Sequence, residues 1–183
     1  MEKKVPIVSN IWSVIKDGYV QIGNTQFTPD SVIIIGPKVE LKKVNDIHTI
    51  KDSVLNLSKN YRGKIDLIMP NRLIKYSSEK VNYFFNIQQI SERIIVDIPV
   101  KVINKIKGIR VFPSPQTVSL TLIGGVNQIA DIKPSDILVV VDFKSWKIEK
   151  NFYTPEVSIP YDIINWKDLS PRSIELGVAR ESK

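Results

Sequence analysis

Cysteine is absent from this chain of 183 residues, and histidine occurs once. Without cysteine there is no disulfide, no thiolate nucleophile and no zinc site that depends on sulfur. The single histidine, His48, has no cysteine partner, and one histidine alone completes neither a metal site nor a catalytic triad. We therefore expect His48 to be a structural or surface residue.

Paired acids and phosphate-binding loops are missing as well. Asp131, Asp136 and Asp142 lie on separate predicted elements, and no acid pair has a spacing typical of glycosidases or metal sites. Gly124-Gly125 is the only adjacent glycine pair, and it lacks the spacing and the Lys-Ser/Thr of a phosphate loop. A tight turn or bulge after a strand is expected there instead. The sequence predicts no enzyme activity, no cofactor, no metal site and no small-molecule substrate.

Long hydrophobic runs are also absent. The longest apolar runs, residues 32–35 and 137–141, are far shorter than the roughly 20 residues that cross a bilayer as a helix. Residues 1–6 include two lysines but are followed by no apolar segment of a secretory signal. This segment is therefore not expected to span a membrane, and any export signal would be removed or lie outside it.

The net charge is +7, and the first half of the chain carries the larger share. The lysines are scattered rather than clustered, which favours a solvated surface kept soluble by its charge. Attraction to anionic lipid or to nucleic acid is the alternative. Aromatic residues beside basic ones, such as Tyr61-Arg62 and Trp146-Lys147, do not form one stripe, so packing over a core explains them better than base stacking.

A repeated pattern is the most informative feature of the sequence. Residues 28–32 (TPDSV) match residues 114–118 (SPQTV) at an offset of 86. The segment from Pro70 to Tyr76 matches the segment from Pro160 to Trp166 at an offset of 90. A motif that recurs once in the same order predicts two copies of one structural unit. Tyr76 and Trp166 are accordingly expected to occupy equivalent, mostly buried places.

The local composition favours strands. Most apolar segments are short, rich in β-branched and aromatic residues, and separated by Pro, Gly, Asn, Asp or Ser. Two segments, Pro37 to Val44 and Gly125 to Ile132, have apolar residues three or four apart and predict short helical turns. The expected fold class is all-β with short helical turns.

The repeat pattern also sets the expected domains. Residues 5–92 form the first β-rich repeat and residues 96–183 the second, in an elongated arrangement with a junction at about 93–100. Residues 1–4 are interpreted as a chain start or as the hinge from an upstream repeat, because they resemble the segment that joins the two repeats.

Several motifs, in this order, resemble the YbbR-like family. They are the Pro-x-x-Val strand entry, the VVVD segment at 139–142 and the LSPRSIEL segment at 169–176. Gly18-Tyr19 and the first repeat's Gly36-Pro37 are similar to the longer Bacteroidetes-type version of the domain. The resemblance extends over about residues 5–181 and implies two tandem YbbR-like repeats. The first repeat departs from the pattern, since residues 55–57 (LNL) stand in place of the aspartate-bearing strand.

The resemblance implies a location and a function. Family members usually carry an N-terminal transmembrane anchor followed by several YbbR domains outside the cytoplasmic membrane, and one binds and regulates a membrane diadenylate cyclase that makes cyclic di-AMP. By this resemblance the chain is an extracytoplasmic module, periplasmic or at the cell surface, that is anchored through a transmembrane segment absent from this sequence. Its expected role is non-catalytic binding or regulation of a membrane protein partner, with the diadenylate cyclase as the candidate.

The surface expected to bind that partner is the junction between the repeats, together with exposed strand edges. The candidate junction residues are Ile94, Val96, Ile98, Val100 and Asn104. Two alternatives remain: a structural spacer in the cell envelope, and a nucleic-acid-binding β domain.

Overall fold

The computed structural model describes residues 1–180, and the chain divides into two compact units. The first unit comprises Met1–Gln89, and the second begins at Ile90. Strands dominate both units and the two α-helices are short, which confirms the all-β fold class. Within residues 1–180 no helix is both long and apolar enough to cross a membrane.

The first unit contains ten strands and one helix. They are β1 (Glu2–Val8), β2 (Ile11–Ile15), β3 (Tyr19–Gln21), β4 (Gln26–Thr28), β5 (Ser31–Ile35), α1 (Lys38–Lys43), β6 (Ile47–His48), β7 (Asp52–Leu57), β8 (Tyr61–Asp66), β9 (Lys75–Tyr76) and β10 (Lys80–Phe85). A four-stranded sheet has the order β6-β1-β5-β9, and a three-stranded sheet has the order β4-β10-β8. Strands β2 and β7 form a separate parallel pair.

The second unit is built around a long strand, β11. Its elements are β11 (Ile87–Ile103), β12 (Ile109–Ser114), β13 (Thr117–Gly125), α2 (Val126–Ala130), β14 (Leu138–Asp142), β15 (Phe152–Tyr153), β16 (Glu156–Ser158), β17 (Asn165–Ser170) and β18 (Ile174–Arg180). The first three residues of β11 belong to the first unit, where they pair with β3. The rest of β11 is part of a sheet with the order β16-β14-β11-β13-β17, and β12-β18-β15 form a second sheet.

The two units share part of their strand connections. In each, an opening strand (β1 or β11) pairs antiparallel with a following strand (β5 or β13) and parallel with a later one (β6 or β14). A short helix follows β5 and β13, within the segments where helical turns were predicted. The three-stranded sheets β4-β10-β8 and β12-β18-β15 also correspond in chain order.

This topology corrects one sequence-based assignment. Residues 55–57 were expected to stand in place of the VVVD strand, which is β14. The parallel neighbour of β1 is instead β6, Ile47–His48, whereas residues 55–57 end β7 beside β2. The register of β2 and β7 shifts near Asn56, whose φ is 59°.

Each unit has its own hydrophobic core. Side chains of a strand alternate between its two faces, so Val32 and Ile34 of β5 are buried while Ile33 and Ile35 are exposed. The first core also includes the aromatic side chains Tyr83 and Phe85 of β10. The second core gathers residues from β11, β13, β14 and β17 and from α2. Burial of each such side chain contributes about 1.5–3 kcal/mol.

In both units a cation from the opening strand contacts the carboxyl end of the helix. Lys3 Nζ donates to the carbonyl oxygens of Val44 at 2.6 Å and Leu41 at 3.3 Å. Arg93 occupies the corresponding place beside α2. Its Nη1 donates to three carbonyl oxygens: Ile129 at 2.7 Å, Ala130 at 2.8 Å and Ile132 at 3.0 Å. The last carbonyls of a helix have no partner within it, and a cation there also interacts favourably with the helix dipole.

The glycine pair lies within the end of β13 and not in a turn after it. A Cβ at Gly124 would lie 2.7 Å from Ile129 Cγ2, so glycine is required by the close approach of α2 to the strand. Gly125 has a φ of −63° and precedes the first residue of α2. The expected turn or bulge is therefore replaced by a packing contact.

Candidate binding surfaces

His48 lies in a shallow depression of the first unit. Its Nε2 is 3.2 Å from Asp46 Oδ1, and about half of each side chain is exposed. The depression has a volume of about 500 Å³, and among the described residues that line it Asp46 contributes the single carboxylate and Lys43 an ammonium group. No group of three or more His, Asp or Glu residues that could hold a metal ion occurs within residues 1–180.

The five predicted junction residues do not share one surface. Ile94 and Val96 are exposed on β11, whereas Ile98 and Val100 are buried in the core of the second unit. Asn104 follows the end of β11 with a φ of 55°. Two of the five, Ile94 and Val96, therefore present apolar side chains to solvent, and Ile98 and Val100 stabilise the core.

An irregularity in β11 explains this division. Residues spaced by two along a regular strand share one face, and Ile94, Val96, Ile98 and Val100 have that spacing. The pairing of β11 with β13 shifts register between Ile95 and Ile98, and Asp97 has a φ of 57°. Such a bulge moves the following side chains to the opposite face. The sequence signals no bulge at Asp97 beyond the tolerance of Asp for a positive φ.

Asn104 has a local structural role. Its side-chain amide donates a hydrogen bond to the carboxylate of Asp142, and the Lys144 backbone N–H donates to Asp142 Oδ1 at 2.9 Å. Both hydrogen bonds favour the ionised carboxylate and lower the pKa of Asp142. The contact joins the end of β11 to the end of the neighbouring strand β14.

Tyr76 and Trp166 occupy corresponding edge strands. Tyr76 of β9 pairs with Ile34, and Trp166 of β17 pairs with Leu122. Both rings are half-buried against the core of their own unit, which is less burial than predicted. The Tyr76 hydroxyl donates to the carbonyl oxygen of Ile68, and burial raises the pKa of Tyr76 to about 12. Packing against the core of each unit therefore explains the role of both rings without a stacked ligand.

An exposed apolar surface lies on the outer face of β2 and β7. Trp12, Val14 and Leu55 are 74%, 46% and 66% exposed. We call these three residues the Trp12 surface. Alternate residues of the same strands, including Ile11 and Val54, pack against the first core. Leu55 was not recognised from the sequence because residues 55–57 were interpreted as the counterpart of the aspartate-bearing strand.

The outer face of the sheet β4-β10-β8 is polar and basic, and we call it the cationic face. It lines a cavity of about 740 Å³. Two rows of facing residues cross the three strands: Lys64, Asn82 and Thr28 form one, and Arg62, Phe84 and Gln26 form the other. The Arg62 guanidinium carbon lies 5.4 Å from the centre of the Phe84 ring.

The corresponding sheet of the second unit, β12-β18-β15, has a different surface. Exposed Phe112 and Phe152 lie on its strands β12 and β15. Phe112, Trp146 and Ile148 line a cavity of about 460 Å³ that also includes Glu175. The cavity of the second unit therefore combines aromatic and apolar side chains with the charged groups of Lys147, Lys150 and Glu175.

Comparisons with known proteins give one structural likeness. No known protein-family model matches the chain. No curated protein matches it. The chain is similar to a solved YbbR-like protein from Streptococcus pneumoniae TIGR4, with 13% sequence identity and a TM-score of 0.39 over 99% of this chain and 96% of that one. The all-β fold class follows from the strands and their pairing.

Proposed function

We propose that this chain is a non-catalytic module that binds a protein partner, and that the Trp12 surface is the centre of its binding site. The observation that carries the proposal is the exposure of a tryptophan, a valine and a leucine together on one strand pair. Contiguous exposed apolar side chains mark interaction sites more often than isolated ones do. Tryptophan is also among the residues that contribute most to protein–protein affinity.

The surface is held in place before any partner binds. The Asn10 backbone N–H donates to Thr49 Oγ1 at 2.9 Å, and Asn10 Nδ2 donates to the Thr49 carbonyl oxygen at 3.1 Å. Thr49 is fully buried, so this contact fixes the start of β2. Just after the end of β2, the backbone N–H of Lys16 donates to the carbonyl oxygen of Leu57 at 2.9 Å. A preordered surface loses little conformational entropy on binding, which favours affinity.

The proposed setting follows the sequence motifs. They resemble those of YbbR-like repeats, which implies a tandem of two such repeats outside the cytoplasmic membrane and a membrane protein partner. The shared strand connections of the two units support an internal duplication. The diadenylate cyclase that the family resemblance implies is the partner that we propose to test.

The test measures binding of the purified chain to the detergent-solubilised diadenylate cyclase of the same organism. We expect the wild-type chain to bind and Trp12→Ser to weaken binding by about 30-fold, which corresponds to the roughly 2 kcal/mol of an interface hot spot. Ile148→Ser, at an 85% exposed apolar residue of the second unit, is the matched control and should bind like wild type.

Two outcomes contradict the proposal. No binding by the wild-type chain would exclude the cyclase as partner. Equal weakening by Trp12→Ser and Ile148→Ser would show that general loss of apolar surface, and not the Trp12 surface, reduces the affinity. Circular dichroism of both variants verifies that each remains folded.

A further inference from the structure

The cationic face carries two positive charges that the rest of the described chain does not neutralise. Arg62 and Lys64 are exposed on β8, and neither has an ion pair within residues 1–180. The next acid on the same face of β8, Asp66, is already paired with Lys80 of β10 at 3.2 Å. The face is therefore complementary to an anionic partner.

The other side chains of this face can bond to a peptide backbone. The side chains of Gln26, Thr28 and Asn82 line the same cavity, and none of these side chains has a hydrogen-bond partner among the described residues. A side-chain amide offers both a donor and an acceptor, which matches the N–H and C=O groups of an extended peptide. The cavity of about 740 Å³ is large enough to hold a few residues of such a chain.

The spacing of the two cations specifies the ligand further. Arg62 and Lys64 are two residues apart on one strand, which places their attachment points about 6.6 Å apart. An extended peptide repeats its side chains on one side at the same interval. Acidic residues at alternate positions of a peptide would each meet one cation. Adjacent acidic residues would point to opposite sides, and only one would face the sheet.

The aromatic content of the face disfavours single-stranded nucleic acid. Binding of single strands relies on successive aromatic rings on which bases stack. Phe84 is the one aromatic ring in these two rows, it is half-buried, and the Arg62 guanidinium carbon lies 5.4 Å from its centre. The guanidinium is a planar group whose N–H donors match a carboxylate, and the Phe84 ring leaves them available.

We propose that the cationic face binds an extended acidic segment of a protein, with carboxylates at alternate positions. This site lies on a different surface of the first unit from the Trp12 surface. Short peptides test the cationic face without the cyclase. A negative peptide result would therefore contradict only the cationic-face proposal, and a negative cyclase result only the proposed function.

The experiment measures fluorescence anisotropy with two labelled peptides of identical composition. One has two glutamates at alternate positions and the other has them adjacent. We expect the full chain to bind the alternate peptide about twofold more tightly, because the adjacent peptide forms one ion pair fewer, and the double variant Arg62→Gln/Lys64→Gln to lose about fivefold in affinity for the alternate peptide, as expected for two solvent-exposed ion pairs. Lys101→Gln/Lys105→Gln removes the same charge from exposed positions of the second unit and should bind like wild type.

Several results would overturn the proposal. They are equal or absent binding of the two peptides, equal losses in the two double variants, and tighter binding of an eight-nucleotide thymidine strand that Arg62→Gln/Lys64→Gln abolishes. The last result would identify the face as a nucleic-acid site. Thermal unfolding followed by circular dichroism verifies that the variants are folded.

Discussion

Replacing Arg93 with methionine should destabilise the second unit by about 1.5 kcal/mol. One guanidinium nitrogen contacts the carbonyl oxygens of Ile129, Ala130 and Ile132 within 3.0 Å. Hydrogen bonds that involve a charged group contribute about 1.5–3 kcal/mol each, but these contacts are partly exposed, which reduces their net value. Loss of the favourable charge at the helix end adds about 0.3–1 kcal/mol. Methionine keeps most of the apolar stem and removes only the charged donor.

The measurement is guanidinium chloride unfolding followed by tryptophan fluorescence in a Trp12→Phe background. The remaining tryptophans, Trp146 and Trp166, both pack against the second core and report on that unit. Lys101→Met, an exposed cation on the same strand, is the control. The reasoning would be refuted if Arg93→Met lowered the free energy of unfolding no more than Lys101→Met does.

Two further predictions concern Tyr83, which is 4% exposed in the first unit. A Cβ at Gly63 would lie 2.4 Å from Tyr83 Cζ, so Gly63→Ala should lower the free energy of unfolding by about 1–3 kcal/mol in chemical denaturation, whereas Gly177→Ala, with its nearest atom at 3.7 Å, should not. Burial raises the pKa of Tyr83 to about 12 from about 10 in the unfolded chain, so its stabilising contribution is complete below pH 10 and disappears as the pH rises to 12. Thermal unfolding between pH 9 and 12 should show a smaller loss for Tyr83→Phe than for wild type, and equal losses would contradict this assignment.

Much of the fold could be predicted from the sequence because its local signals agree with the tertiary structure. Period-two alternation with β-branched residues predicted an all-β chain, and apolar spacing after Gly36 and Gly124 located the two short helices. The offset of 90 between Tyr76 and Trp166 connects residues on corresponding edge strands. Composition and spacing are sufficient for such features.

The candidate surfaces were harder to predict because they depend on irregular backbone. A bulge at Asp97 places Ile98 and Val100 in the core although Ile94 and Val96 are exposed. Cross-strand neighbours such as Arg62 and Phe84 are distant in sequence and depend on the register of β8 and β10. A single sequence carries no direct signal for either feature.

The contact between Arg93 and α2 has a consequence for how the second unit opens. A helix of five residues is far too short to persist alone in water, and its carbonyls reach their cation only when β11 lies beside β13. The helix and this strand pair therefore belong to one cooperative unit of local unfolding. Transient separation of the two strands therefore releases the helix as well.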